Sequence, residues 1–198
     1  MPNPSASLRP WFAVALVNLA VAAIIGCVLR SIYVVEIPYV RFKPLLHAHS
    51  HVAMLGWVFI ALLVFLLEDA DDGRSRRRHR LLFFLVQIAV LGMLISFPIQ
   101  SYGPVSISFT TLHLLLSYVL AVLAWRGTRS WLAAGSRKLV RIAVWMMVIS
   151  TIGVWSMAPL LANGLFGTEW YYWSIQFFLH FQFNGWFWFA ALALWSRW

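Results

Sequence analysis

The chain has 198 residues, of which 62% are hydrophobic and only 11% charged, and its mean hydropathy is +0.81. A water-soluble domain of this length cannot hide so much apolar surface, so lipid is the expected solvent for most of it. The net charge of +9 would suit a nucleic-acid surface. Its Lys and Arg residues, however, lie between long apolar runs, where they set membrane topology; no folded soluble face remains for nucleic acid.

A membrane-spanning helix needs about 20 apolar residues, and six segments meet that need: 11–35, 45–67, 81–100, 108–126, 140–162 and 174–196. Residues before Leu8 form a short polar tail. The first segment holds the single cysteine, Cys27, so no intrachain disulfide can form. Ile24-Ile25-Gly26-Cys27 has the look of a lipoprotein cleavage box. Apolar sequence nevertheless continues to Val35, and cleavage would discard a helix, so the segment is read as a span. Pro38 and Pro44 precede the second segment, Pro44 at a helix start that tolerates a missing N–H. Asp71-Asp72-Gly73 and an arginine run follow it. Ser101-Tyr102-Gly103-Pro104 separates the third segment from the fourth, and Asn163-Gly164 closes the fifth. The expected architecture is all-α: a polytopic membrane helix bundle of six transmembrane helices in one domain, residues 1–198, with no long linker.

Orientation follows from charge. With six alternating spans, Arg9, Arg74, Arg76, Arg77, Arg78, Arg80, Arg126, Arg129, Arg137, Lys138, Arg141 and Arg197 share one side. The other side has Arg41 and Lys43, with Arg30 near the end of its helix. The positive-inside rule then puts both termini in the cytoplasm. Trp170, Tyr171, Tyr172 and Trp173 read as an aromatic belt at the outer boundary. The second, fourth and sixth helices run inward.

Of the six histidines, His79 lies within the cytoplasmic arginine run and is expected to be solvated. The other five are on inward-running helices near their outer ends: His47, His49 and His51 on the second, His113 on the fourth and His180 on the sixth. His51, His113 and His180 fall at roughly 8–9 Å depth at the helical rise per residue. His47 and His51 share a helix face, while His49 points nearly opposite, toward a neighbouring helix or the outer water. Gln176, His180 and Asn184 form a polar stripe, as do Thr110, His113 and Ser117. Such stripes are expected to face the bundle interior, because polar groups in lipid are costly. His47, His113 and His180 recur at nearly equal intervals, the signature of a worn hairpin repeat, although equal spanning lengths give the same period.

A single membrane histidine is often only an interhelical hydrogen-bonding group. Five at one depth point to a metal or a haem, since neutral imidazole is the commonest metal ligand and haem iron takes axial histidine in an apolar, aromatic slot. The sixth helix supplies such a lining in Phe177, Phe178, Phe181, Phe183, Trp186 and Trp188. Gly56 and Gly185, each followed by Trp, would admit a flat ring or simply let helices pack closely. Six acidic residues in all, with only Glu36 and Glu169 outside, leave hard-cation and di-iron carboxylate sites without oxygen ligands. Ser50 between His49 and His51 lacks the orienting carboxylate that hydrolase chemistry wants.

Lys43-Pro44-Leu45-Leu46-His47-Ala48-His49-Ser50-His51, followed by Ala53-Met54-Leu55-Gly56-Trp57, resembles the histidine-bearing second helix of haem–copper oxidase subunit I. Its His-Ala-His part is also similar to the NnrS-type membrane proteins, a haem- and copper-containing family linked to nitric oxide. Leu179-His180-Phe181-Gln182-Phe183 is similar to the oxidase helix that carries two haem-ligating histidines one residue apart. The resemblance covers mainly residues 8–66 and 173–190. It implies that His180 is a haem ligand and that the opposing axial ligand comes from the second-helix trio, with His51 favoured over His47. Gln182 stands where the second oxidase histidine would be, which argues against a second, oxygen-reducing haem. The oxidase helix with copper ligands and a linked tyrosine has no counterpart here. Those families have about twice as many helices, so two copies of this chain would rebuild a body of the usual size.

The expectation is therefore a b-type haem protein of the bacterial inner (cytoplasmic) membrane, with its histidines toward the outer side. Its work would be electron transfer or oxidoreductase chemistry on a small gas, nitric oxide or oxygen. His51 and His180 are the expected axial pair, with Gln182 and Asn184 beside the cofactor. His47, His49 and His113 would form a second metal site, copper, or hydrogen-bond the haem surroundings. Arg30, Arg41 or Lys43 would pair with propionates. A homo-oligomer, dimer or trimer, and a redox partner are the expected company. Two other readings stay open: a haem-free copper or zinc protein for transport or delivery, and a purely structural bundle.

Overall fold

The computed structural model describes residues 8–68, 73–131 and 133–197. The polar tail before Leu8, Asp71, Asp72 and the side chains of Arg74 and Arg76 lie outside the described residues. Among these residues the chain is all-helical, with six helices. They are α1 (Arg9–Ser31), α2 (Phe42–Leu67), α3 (Gly73–Gln100), α4 (Pro104–Gly127), α5 (Ala134–Ala162) and α6, which runs through Glu169–His180, Phe181–Phe187 and Trp188–Trp195 without a break. Helices α1 to α5 are long and apolar enough to cross a bilayer. Helix α6 is long enough too, but Gln176, His180, Gln182 and Asn184 lower its hydropathy, and it is not among the five.

Two boundaries differ from the expected ones. The first apolar run was expected to stay helical to Val35, yet α1 stops at Ser31, where the Ser31 carbonyl accepts from the N–H groups of Val34 and Val35, both at 2.9 Å. Residues 32–41 are a largely exposed loop, so Val34 and Val35 lie outside the helix. Helix α3 starts at Gly73 rather than 81, so the arginine run is helical. His79 then joins Phe83, Val86, Val90, Met93 and Phe97 on one buried face, at spacings close to whole turns. It is only 3% exposed, which corrects the expectation that it would be solvated.

The fold is made of two compact units, Met1–Leu120 and Ala121–Trp198. In the first unit, Ala15, Asn18 and Ala22 on α1 are buried at helical spacing, and their small volume lets α1 approach α2. Gly56 of α2 leaves no room for a side chain there: a Cβ would come within 2.9 Å of Val90 on α3 and 3.0 Å of Asn18 on α1. In the second unit, α5 and α6 lie antiparallel and are tied at three levels by hydrogen bonds. Ser136 donates to the Ser196 carbonyl (2.8 Å), Gln182 to Ser150 (2.9 Å) and Ser156 to Ser174 (3.0 Å). Gly185 lies against Met146, which a Cβ would approach to 2.6 Å.

The Asn163-Gly164 stop behaves as its residues predict. Gly164 takes φ +71°; its N–H donates to Leu161 (3.1 Å) and that of Leu165 to Leu160 (2.9 Å). This paired closure satisfies the last carbonyls of α5 and needs a left-handed residue. The sequence carries no such signal for a second feature. Helix α2 widens into a π-helical turn over Val52–Val58, and α6 does so over Phe181–Phe187.

Candidate functional site

The π-turn of α2 organises the first unit's histidines. The Phe59 N–H donates to the Met54 carbonyl, five residues back, so the Leu55 carbonyl loses the donor that an α-helix would supply. His113 of α4 makes that hydrogen bond instead. His113 is 3% exposed, lies 4.9 Å from the Phe59 ring, and its Nε2 has no hydrogen-bond partner among the described residues.

His51, the residue immediately before the π-turn, donates from Nδ1 to the His47 carbonyl (2.8 Å). His49 donates from Nδ1 to the Ala22 carbonyl of α1 (2.9 Å), and its ring lies over Gly26, whose absent Cβ would sit 3.1 Å from it. A carbonyl can only accept, so both rings must be protonated at Nδ1. The lone pair then stays on Nε2, as in histidine ligands whose other ring nitrogen donates to a backbone carbonyl. The His51 ring packs on Phe97 at 4.4 Å, and the His47 ring on Tyr102 at 4.7 Å. Phe97 and Tyr102 are themselves 5.3 Å apart, edge to face. His47 and His51 thus share an aromatic wall, as their spacing predicts, while His49 faces α1.

Among the described residues no three His, Cys, Asp or Glu side chains come together in an arrangement that could hold a metal ion. The grouping of His47, His49 and His113 is therefore not assembled here. Arg41 caps the end of α3, its guanidinium donating to the Ile99 carbonyl at 2.9 Å, and Arg30 and Lys43 are exposed.

A buried amide cluster was missed in the sequence. Asn18 donates to the Gly56 carbonyl (2.9 Å) and to Gln87 (2.8 Å), and Gln87 donates back to Asn18 (3.1 Å). One polar residue within each of two apolar spans was the signal. Phe97 and Tyr102 were missed as well, because nothing in their surroundings marks them as ring neighbours of histidines in α2.

In the second unit, His180 is exposed and immediately precedes the π-turn of α6. The Asn184 amide lies 3.3 Å from its Nδ1. With the amide nitrogen donating, His180 carries its proton on Nε2; rotating the amide by half a turn presents Oδ1 and frees the Nε2 lone pair. Gln182 is buried and turned the other way, onto Ser150 of α5. The polar stripe Gln176, His180, Asn184 lies on the surface of the chain, contrary to the expectation that it faces inward. Gln182, Gly185 and Trp186 occupy the inner face instead. The stripe on α4 does face inward at His113 and Ser117.

His51 and His180 share a local sequence and backbone pattern. Each directly precedes a seven-residue π-turn with Gly as its fifth residue and Trp as its sixth: Gly56-Trp57 and Gly185-Trp186. Both glycines pack on a side chain of the preceding helix of their own hairpin, Asn18 in one and Met146 in the other. They serve helix packing and not a ring cradle.

These features define a multi-pass helical membrane protein in which two histidines, His51 and His180, adjoin irregular turns of two helices. No family model matches the chain, and no curated protein or solved structure matches it. Against an iron porphyrin, the donor chemistry fits: His51 is held by a backbone carbonyl in the ligand tautomer beside an aromatic wall, and His180 reaches that tautomer by one amide rotation.

Proposed function

We propose that this protein is a b-type haem protein of the cytoplasmic membrane, with both termini inside, acting in electron transfer or in redox chemistry on a small gas. His51 and His180 are the ligand candidates, each described within its own unit. The supporting observation is their shared local design: a histidine fixed at the mouth of a π-turn, followed by the same Gly-Trp pair. Irregular helical turns of this kind concentrate at functional sites. When bound, the haem would supply a one-electron iron couple. The chain's part would be to orient imidazoles through the His47 carbonyl and Asn184, and to exclude water with Phe97 and Tyr102.

The test is an absorption spectrum of detergent-purified protein, oxidised and then reduced, with metal analysis. A Soret band, sharpened visible bands on reduction and stoichiometric iron are expected. His51→Ala and His180→Ala should each lower haem content or shift the spectrum. No Soret band in the purified protein overturns the reading, and stoichiometric copper or zinc without iron would replace it with a haem-free metal protein.

A further inference from the structure

We infer that the exposed polar row of α6 is the contact surface for a second copy of this chain. Gln176, His180 and Asn184 recur at every fourth residue over about 12 Å of helix, and all three are exposed. Trp173 and Trp188, 58% and 59% exposed, flank the row. Amide and imidazole groups turned toward hydrocarbon are costly because lipid offers them no partner. The same residues keep α6 from being apolar enough to count among the five spans, so it is the helix least suited to bare lipid.

The chemistry of the row selects the occupant. Two copies inserted with the same topology can be related only by an axis along the membrane normal, so their α6 helices pair parallel and each residue meets its own twin. A twin contact needs groups that donate and accept at once. Amides and neutral imidazole do so, whereas Lys, Arg and carboxylates would repel their own copies. Every polar group in the row is of the first kind and none is charged. The flanking tryptophans supply the broad apolar contacts that anchor interfaces. With His180 bound to a cofactor and held by Asn184, the polar part of the contact falls to Gln176, between the flanking tryptophans.

The experiment places Cys at Gln176 in a Cys27→Ser background, with Ile24→Cys on the exposed face of α1 as control, in the full chain in lipid nanodiscs. Gln176→Cys should give a disulfide-linked dimer on mild oxidation, several-fold above the control. Mass measurement of the unmodified protein should show two copies, and Gln176→Leu/Asn184→Leu should shift it to one while raising the apolarity of α6. A one-copy mass for the unmodified protein would overturn the inference, as would equal crosslinking at positions 176 and 24. A dimer that persists in the double Leu variant would move the interface elsewhere and overturn it too.

Discussion

Asn18 shows how much one polar residue can organise in an apolar core. Its amide bonds the Gly56 carbonyl and exchanges hydrogen bonds with Gln87, so one side chain holds α1, α2 and α3 together. Interhelical hydrogen bonds in membranes are individually modest, but removing one partner strands the others. Asn18→Leu should cost about 1–2 kcal/mol, read as a lower Tm in detergent. Asn18→Leu with Gln87→Leu should cost less than the two single changes together, because neither amide is then stranded. Gly56→Ala should cost about 1–3 kcal/mol through overpacking, since its Cβ would press on Val90 at 2.9 Å. At this scale the sequence was partly legible. The shared face of His47 and His51 and the opposite direction of His49 followed from helical angle alone. The burial of His79 did not, because local charge suggests solvent while the start of α3 decides the face.

At the scale of elements, composition located the helices and turn chemistry their ends, but it could not show the π-turns. An extra residue in a turn leaves no compositional trace; Val52–Val58 is as apolar as its neighbours. The consequence for chemistry is large, because the widened turn releases the Leu55 carbonyl that His113 takes up. Deleting Ala53 should restore α-helical hydrogen bonding through the turn, so that the Leu55 carbonyl regains an in-helix donor and His113 loses its acceptor, while the face of His47 and His51 turns only slightly because the widened turn already absorbs the extra residue. The expected result is a lower Tm in detergent. Gly164→Ala tests the stop of α5. Nothing lies within 4 Å of a Cβ there, so the cost comes from the left-handed backbone alone, about 1–2 kcal/mol, again read as Tm.

For the whole molecule, charge asymmetry carries the proposed topology. A fluorescent protein that matures only in the cytoplasm should glow when fused after Trp198. A Cys placed at the exposed Tyr39 in the 32–41 loop, in a Cys27→Ser background, should react with an impermeant maleimide from outside; labelling only after the membrane is opened would reverse the orientation. The sequence alone made the membrane class legible, since no other solvent suits this composition. It left the outward turn of the α6 stripe unread, because that depends on which helices meet. Periodicity shows that a polar face exists but not what it meets.

The matched π-turns make the first and last hairpins controls for one another. His51, Gly56 and Trp57 are separated from His180, Gly185 and Trp186 by one constant interval. A substitution that acts through the turn itself should therefore have the same effect at either address. One that acts through a bound group or a partner should break that equality, and the discrepancy would show which hairpin carries the specialised role.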